Sequence, residues 1–575
     1  MQGSVNVMTD SEWAEELGIP NVEEPLIQKY LDGRDALIEQ EKRQRSDDGF
    51  RNGLSAMARE ACAIVAAIRF KEQQTLWSGA YEDEVCAQFD AHPGMMYSLA
   101  RDRMKSSKLW KIIKKMPKGA LLHCHLGAMG DIEWLIAECF DTEGICLISD
   151  APLVTDAQRQ SVSISIVHDK SATESATSLW IEDYKSQTPV LIHEAAASFP
   201  GGKEAFIKWL VSRASITQQD SLSSHTGPNA IWQKFASCFS VVGPIQMYEP
   251  IFRKFIRRMM EQFVDDGVCW ADVRAVFIQS FTRANSSTPD QTHEYMLTAL
   301  QEEVDTFRTS PKGKQFWGLR LIWTTLRAGN TRTVVADMQA CIEMKKLFPD
   351  LISGYDFVGH EDAGRTLAEL TPELFWFKKR CLEEDVNLPF FFHAGETLGD
   401  GDPTDENLFD AILLGTRRIG HGFSLYKHPL LLNMVKERQI LVESCPISNE
   451  VLRLTGSILQ HPLPALIARG VPCCLSCDDP AIMGQGGDVL SPDFWQALQG
   501  WENLGLAGLA SLAENSVKWA NYEDCSPAEW KEDLASGVRG KGVRAQRMSE
   551  WRSEFEKFCQ WVVLEYAEEL EVEID

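Results

Sequence analysis

At 575 residues the chain is long enough for one large domain with substantial additions, or for two to three ordinary ones. A hydrophobic content of 44% beside 24% charged residues describes a soluble globular protein with a packed core rather than a fibrous or disordered one. The formal charge of −26 argues against a nucleic-acid partner, which needs clustered Lys and Arg, and fits a small neutral substrate better.

The opening stretch, "MQGSVNVMTDSEWAEELGIPNVEEP", has neither the basic nor the apolar region of a secretory signal, and no later segment has the length of apolar sequence that a membrane span needs. A cytoplasmic protein with no membrane contact is expected. Fifteen cysteines, an odd number, read as reduced thiols, with Cys139 and Cys146 the pair to join if they oxidise. The glycosylation sequon at Asn285 carries no weight.

Residues 1–115 show apolar positions at three-and-four spacing, as in "FRNGLSAMAREACAIVAAIRFKEQQTLW", and predict a helical extension that serves as an accessory layer or a dimer arm. From residue 120 onward eight short apolar runs alternate with helical stretches. They are "ALLHCHL" (120–126), "VCWADVRAVF" (268–277), "GLRLIWTTL" (318–326), "ISGYDFVG" (352–359), "LPFFFHAGE" (388–396), "RRIGHG" (417–422), "ILVESCP" (440–446) and "VPCCLSCDDP" (471–480). Runs of this kind are parallel strands buried on both faces, and eight of them predict an α/β chain folded as a (β/α)8 TIM barrel. The barrel is placed over 116–530, with an insertion subdomain after its first strand over 127–267 and a helical tail over 531–575.

In such a barrel the chemistry lies at the C-terminal ends of the strands, and the polar residues fall there. His123 and His125 alternate with Cys124, so both imidazoles share one face of the first strand. A single buried histidine is most simply a hydrogen-bonded core residue; a pair at a strand end points to a metal. His393 ends the fifth strand and Glu396 follows on the turn. His421 stands between two glycines that permit close approach. Asp478 and Asp479 stand side by side, an arrangement that repels unless a cation compensates it. Either aspartate alone reads equally well as a helix N-cap. Two histidines, a third from the fifth strand and an aspartate from the eighth form a nitrogen-and-oxygen set suited to one Zn²⁺ with room for a water, and leave Glu396, His421 and Asp479 for proton transfer and orientation. Cys474-x-x-Cys477 is not read as a ligand pair: it has no Pro directly before it and the chain has no His-x-Glu.

"MPKGALLHCHL", "GYDFVGHED", "FFHAGET", "RIGHGFSL", "ESCPISN" and "SCDDP", in this order, resemble the adenosine deaminases of the amidohydrolase superfamily. The resemblance spans roughly residues 100–530 and is closer to the adenosine deaminase-related growth factor branch, which has an N-terminal helical extension and an insertion after the first strand. It implies hydrolytic deamination of adenosine or 2′-deoxyadenosine, with zinc on His123, His125, His393 and Asp478. It further implies that Glu396 protonates purine N1, that His421 positions and deprotonates the attacking water, and that Asp479 orients that water and meets N7. Gly359 would offer its backbone amide to N3, and Trp232 would line the ribose side.

Two features depart from the pattern. The carboxylate that binds the ribose 5′-hydroxyl in those families is missing, since Leu126 and Gly127 follow the second histidine. This opens the alternative of a 5′-modified adenine nucleoside or nucleotide as substrate. Members of the branch are usually secreted, which makes an extracellular location the alternative to the cytoplasm. A receptor-binding, growth-factor-like protein that uses the barrel as scaffold is the alternative of a different class; six polar residues gathered at strand ends speak for the enzyme. A homodimer through the N-terminal helices is expected by analogy.

Overall fold

The computed structural model describes residues 9–78, 91–167, 177–223, 226–284, 286 and 288–570. Asn285 lies outside the described residues, as do 1–8 of the extension and 571–575 of the tail.

Each of the eight apolar runs contains a strand: β1 Gly119–Leu121, β2 Val268–Val276, β3 Gly318–Leu326, β4 Ile352–Val358, β5 His393–Ala394, β6 Arg418–His421, β7 Leu441–Ser444 and β8 Cys473–Leu475. They form two four-stranded parallel sheets, in the orders β1-β2-β3-β4 and β8-β7-β6-β5. Single parallel bridges, Tyr355 to Phe390 and Cys124 to Asp478, join the sheets at both seams and close the barrel. Most strands are buried along their whole length, which is why they read as mainly apolar runs. The expected runs are longer than the ladders: β1 stops at Leu121 and β5 holds only two residues. The residues beyond those ends leave the hydrogen-bond ladder to enter the site.

Between β1 and β2 lies a body with its own core. Helix Ile132–Asp141 and a three-stranded antiparallel sheet (Ser163–Ile166, Ile145–Ile148, Val190–Leu191) pack with helix Gly202–Ala214 around Leu135, Leu147, Trp180, Phe206 and Leu210. Helix Gly227–Gln246 follows, and helix Glu249–Asp265 returns to the barrel by burying Phe252, Phe255, Met259 and Phe263 in the main core. Cys139 and Cys146 are free thiols, as are the other described cysteines; their sulfurs donate to the carbonyls of Leu135 and Ser165.

The N-terminal helices divide into two kinds. Asp10–Glu16 and Pro25–Lys42 bury no residue, whereas Ala56–Thr75 buries Ala58, Ala61, Ile64, Val65 and Ile68 against the C-terminal helix Val543–Tyr566 and the main core. Ser55 caps Ala56–Thr75 by accepting from the amide of Ala58. Among the described residues no helix is long and apolar enough to cross a membrane.

Helix Ala56–Thr75 is therefore part of the folded core. Ile64→Ala is expected to cost about 2–5 kcal/mol in denaturant unfolding. A loss below about 0.5 kcal/mol, the scale of a surface substitution, would contradict this placement.

Candidate active site

Past Leu121 the ladder stops, and Cys124 and His125 make single bridges to Asp478 and Arg274. Alternation then turns Cys124 into the core and brings both imidazoles to one face, with ring centroids 5.4 Å apart. His393 arrives from β5, 4.6 Å from His123 and stacked 5.3 Å from His125, and His421 from β6 lies 4.7 Å from His123.

Two site residues hold left-handed backbone conformations that side chains rarely adopt: His421 at φ 63° and Asp478 at φ 59°. Each costs on the order of 1–3 kcal/mol and persists only where its surroundings fix it. At Asp478 they do: its amide donates to the His123 carbonyl (3.1 Å) and its carbonyl accepts from the His125 amide (3.2 Å). The kink solves the problem of adjacent aspartates. On a regular strand the two carboxylates would point to opposite faces, whereas here His125 Nδ1 lies 3.0 Å from Asp478 Oδ1 and 3.2 Å from Asp479 Oδ2. Gly420 is required for a different reason: a Cβ there would stand 2.8 Å from His123 Cε1 and 3.1 Å from its Nδ1.

Below the histidines the barrel interior holds a layer of charge. Arg274, fully buried, binds Asp356 (2.7 Å), Glu443 (2.8 Å) and the Leu122 and Phe391 carbonyls (3.0 Å each). Arg418 binds Glu443 and reaches Asp272 at 2.8 Å. Burial opposes the charge on Glu443, but the two guanidiniums outweigh it and hold its carboxyl well below the usual carboxylate range. An ionised carboxylate only accepts. His123 Nδ1, 2.8 Å from Glu443, and His393 Nδ1, 2.7 Å from Asp356, must therefore carry the proton, which leaves both Nε2 lone pairs facing the site.

A second hydrogen-bond chain sets His421. The Leu463 amide donates to His461 Nδ1 (3.1 Å), so His461 carries its proton on Nε2 and donates to Asn449 Oδ1 (3.0 Å). This turns the Asn449 amide nitrogen, which can only donate, to His421 Nδ1 (3.1 Å). The neutral His421 ring then holds its proton on Nε2, 3.5 Å from Glu396 Oε1. Burial pushes His421 well below its usual pKa and lowers His393 to about 3, so both are neutral. Burial, with Asp478 and Glu361 nearby, raises Glu396 well above the usual carboxylate range and keeps it protonated. Burial and Asp478 push Asp479 up to about 7. Burial works against a charge on His125, but the Asp479 and Asp478 carboxylates raise it to about 10.

The donors fit a metal ion. His123, His393, His421 and Asp478 form one group whose ligand atoms lie within 4.8 Å of one another, and His125, Asp478 and Asp479 form a second that shares Asp478. The Nε2 atoms of His123 and His125 and the oxygens Asp478 Oδ1, Asp479 Oδ1 and Glu396 Oε1 are buried without a hydrogen-bond partner. Unsatisfied nitrogen and oxygen donors in two groups joined at Asp478 are of the kind that suits Zn²⁺.

The family described as adenosine deaminase matches residues 215–540. The chain belongs to the adenosine deaminase family. The match begins beyond β1, so His123 and His125 lie outside it. The relatives include adenosine deaminase 2-A of Danio rerio, 31% identical over 82% of this chain and 88% of that protein. Adenosine deaminase 2 of Homo sapiens is 30% identical over 74% of this chain and 79% of its own length. Adenosine deaminase 2 of Dictyostelium discoideum is 27% identical, over 86% and 84%. The chain is an enzyme of this family.

For an adenosine deaminase family site the expected residues are placed as follows. His123, His125, His393, Glu396, His421, Asp478 and Asp479 converge and are buried. His125 faces the two aspartates rather than the group around His421. Gly359 follows β4 at φ 114°, and Trp232, from helix Gly227–Gln246, stacks on the neighbouring His360 at 4.6 Å. The supporting residues went unread in the sequence: Asp272, Arg274, Asp356, Arg418 and Glu443 below the site, and Ser448, which donates to Asp478 Oδ2 (2.7 Å), with Asn449 and His461 beside it. Glu361 also belongs here, since it accepts from the amides of Gly395 (3.1 Å) and Glu396 (2.7 Å) and so shapes the turn that carries Glu396. The available signal was a set of charged residues inside apolar strand runs.

Glu443→Gln tests the layer below the histidines. Removing one partner of a buried charge network is expected to cost about 3–5 kcal/mol in denaturant unfolding. Freed to take either tautomer, His123 should lower metal affinity about 10- to 100-fold in chelator competition. A variant with wild-type affinity would contradict the assigned tautomer.

Proposed function

We propose that this enzyme hydrolytically deaminates adenosine or 2′-deoxyadenosine to inosine or 2′-deoxyinosine, releasing ammonia, with one Zn²⁺ held by His123, His125, His393 and Asp478. The observation that carries the reading is a neutral, buried Glu396 carboxyl beside unsatisfied nitrogen and oxygen donors, in a chain of this family.

When bound, the ion supplies a water acidic enough to act as nucleophile near neutral pH. The chain's own residues do the rest. Glu396 has a proton to give to purine N1, which makes C6 electrophilic. Asp479, pushed up to about 7, holds a proton for the N7 acceptor over much of the range below neutrality. The Gly359 amide is the donor assigned to N3, and the Trp232 ring lines the ribose side. His421 carries its proton on Nε2, so in the resting enzyme it orients the water by donating to it. To accept the water's proton His421 must first hold its own on Nδ1 instead of Nε2, which requires the Asn449 oxygen to face it and His461 to give up its Nε2 proton in turn. This refines the role that the resemblance implies. Water adds at C6 and ammonia leaves.

Helices Asp10–Glu16 and Pro25–Lys42, which bury nothing, carry Trp13, Leu26, Tyr30 and Leu37 exposed, which supports a homodimer through them. The substrate assigned is a small purine nucleoside; neither nucleic acid nor membrane is assigned as a partner.

Zinc-loaded protein is expected to convert adenosine to inosine with release of ammonia, and Glu396→Gln to lower kcat about 10²- to 10⁴-fold with fold and zinc content kept. Stoichiometric zinc without inosine formation would overturn the reading, as would a Glu396→Gln variant of wild-type rate.

A further inference from the structure

Gly127 stands two residues beyond His125, in the short turn Leu126–Ala128. Neither its backbone nor its surroundings require glycine: its φ lies outside the left-handed region, and an added Cβ would meet only ordinary contacts at 3.7 Å. Those contacts are the Phe239 ring and Gln246 Oε1. Gln246 ends helix Gly227–Gln246, which also carries Trp232. The side chain is 1% exposed, and both amide atoms, Oε1 and Nε2, are buried without a hydrogen-bond partner. A buried amide left this way is costly, and a group that both donates and accepts would satisfy it.

Resting on the deaminase reading above, the orientation of the substrate says what arrives there. Around the barrel mouth N1 is met from β5 by Glu396, N7 from β8 by Asp479, and N3 from the end of β4 by Gly359. N9 lies between N7 and N3 on the purine, away from N1, so the sugar leaves over β1 to β3. Gly127 follows β1. We propose that Gln246 is the specificity residue for the 5′ end of the sugar, accepting from and donating to a free 5′-hydroxyl through the space that Gly127 leaves open. The two side chains that a Cβ at Gly127 would meet first, Phe239 and Gln246, are uncharged and offer no cation to a 5′-phosphate. The preferred substrate is then a plain nucleoside rather than a nucleotide.

The test compares kcat/KM for adenosine, 5′-deoxyadenosine and adenosine 5′-monophosphate in zinc-loaded wild type, Gln246→Met and Gln246→Glu. Wild type is expected to favour adenosine over 5′-deoxyadenosine by about 10- to 100-fold, because the analogue leaves the amide unpaired. Gln246→Met should bring that ratio to within about threefold of unity by losing rate on adenosine far more than on the 5′-deoxy analogue. Gln246→Glu, which still accepts from a hydroxyl, should retain the preference and reject the monophosphate more strongly. A Gln246→Met enzyme with the wild-type ratio would overturn the inference, as would an equal loss on both nucleosides or a wild type that prefers the monophosphate. In each of these cases deamination itself is still observed. A wild type that deaminates none of the three would overturn the deaminase reading and this inference with it.

Discussion

The site depends on the pairing of two buried arginines with three buried carboxylates at the base of the barrel mouth. Arg274 and Arg418 share Glu443, Arg274 also holds Asp356, and Arg418 also holds Asp272. Isolated charges at this depth would be prohibitive, and the network survives because each is matched and hydrogen-bonded. Its consequence lies one layer up. Carboxylates locked in the ionised state dictate which nitrogen of His123 and of His393 carries the proton, and so which nitrogen can bind a metal.

The two seams of the barrel are also where its donors collect. Regular ladders stop short at β1, β5 and β8, and single bridges replace them. Chain released from the ladder can take conformations a strand cannot, as Asp478 does. His123, His125, Asp478 and Asp479 gather at one seam, and His393 stands beside Asp356 at the other. Closing the barrel and gathering the donors proposed for the metal are thus the same event. Strain at Asp478 and His421 is offset by the surrounding hydrogen bonds and by the packed interior.

All eight strands were legible in the sequence, because strands buried on both faces leave apolar runs that no solvent-exposed element shares. The His and Asp residues that converge were legible too, since a His or Asp at the end of such a run has few other reasons to be there. Strand ends were not: whether residue 122 continues the ladder depends on β2, whose Ala271 pairs with Leu121 from far along the chain. The side-by-side aspartates could be read only as a repulsion in need of a cation, since the kink that aims both into the site is a backbone angle. Glu443 and Arg274 were invisible as a pair for the same reason of distance in sequence. His461 was hidden because its effect on His421 passes through Asn449. Gly127 read as the loss of a carboxylate, and only the packing of a helix from the intervening body brings Gln246 against it.

The most direct measurement of the central claim, that buried carboxylates present the histidine Nε2 atoms to one ion, is anomalous diffraction at the zinc edge from crystals of the zinc-loaded protein. A single strong site is expected, bound by Nε2 of His123, His125 and His393 and by the Asp478 carboxylate, with Glu443 and Asp356 still accepting from Nδ1 of His123 and His393. Zinc bound through an Nδ1 atom of His123 or His393, or held away from these residues, would contradict it.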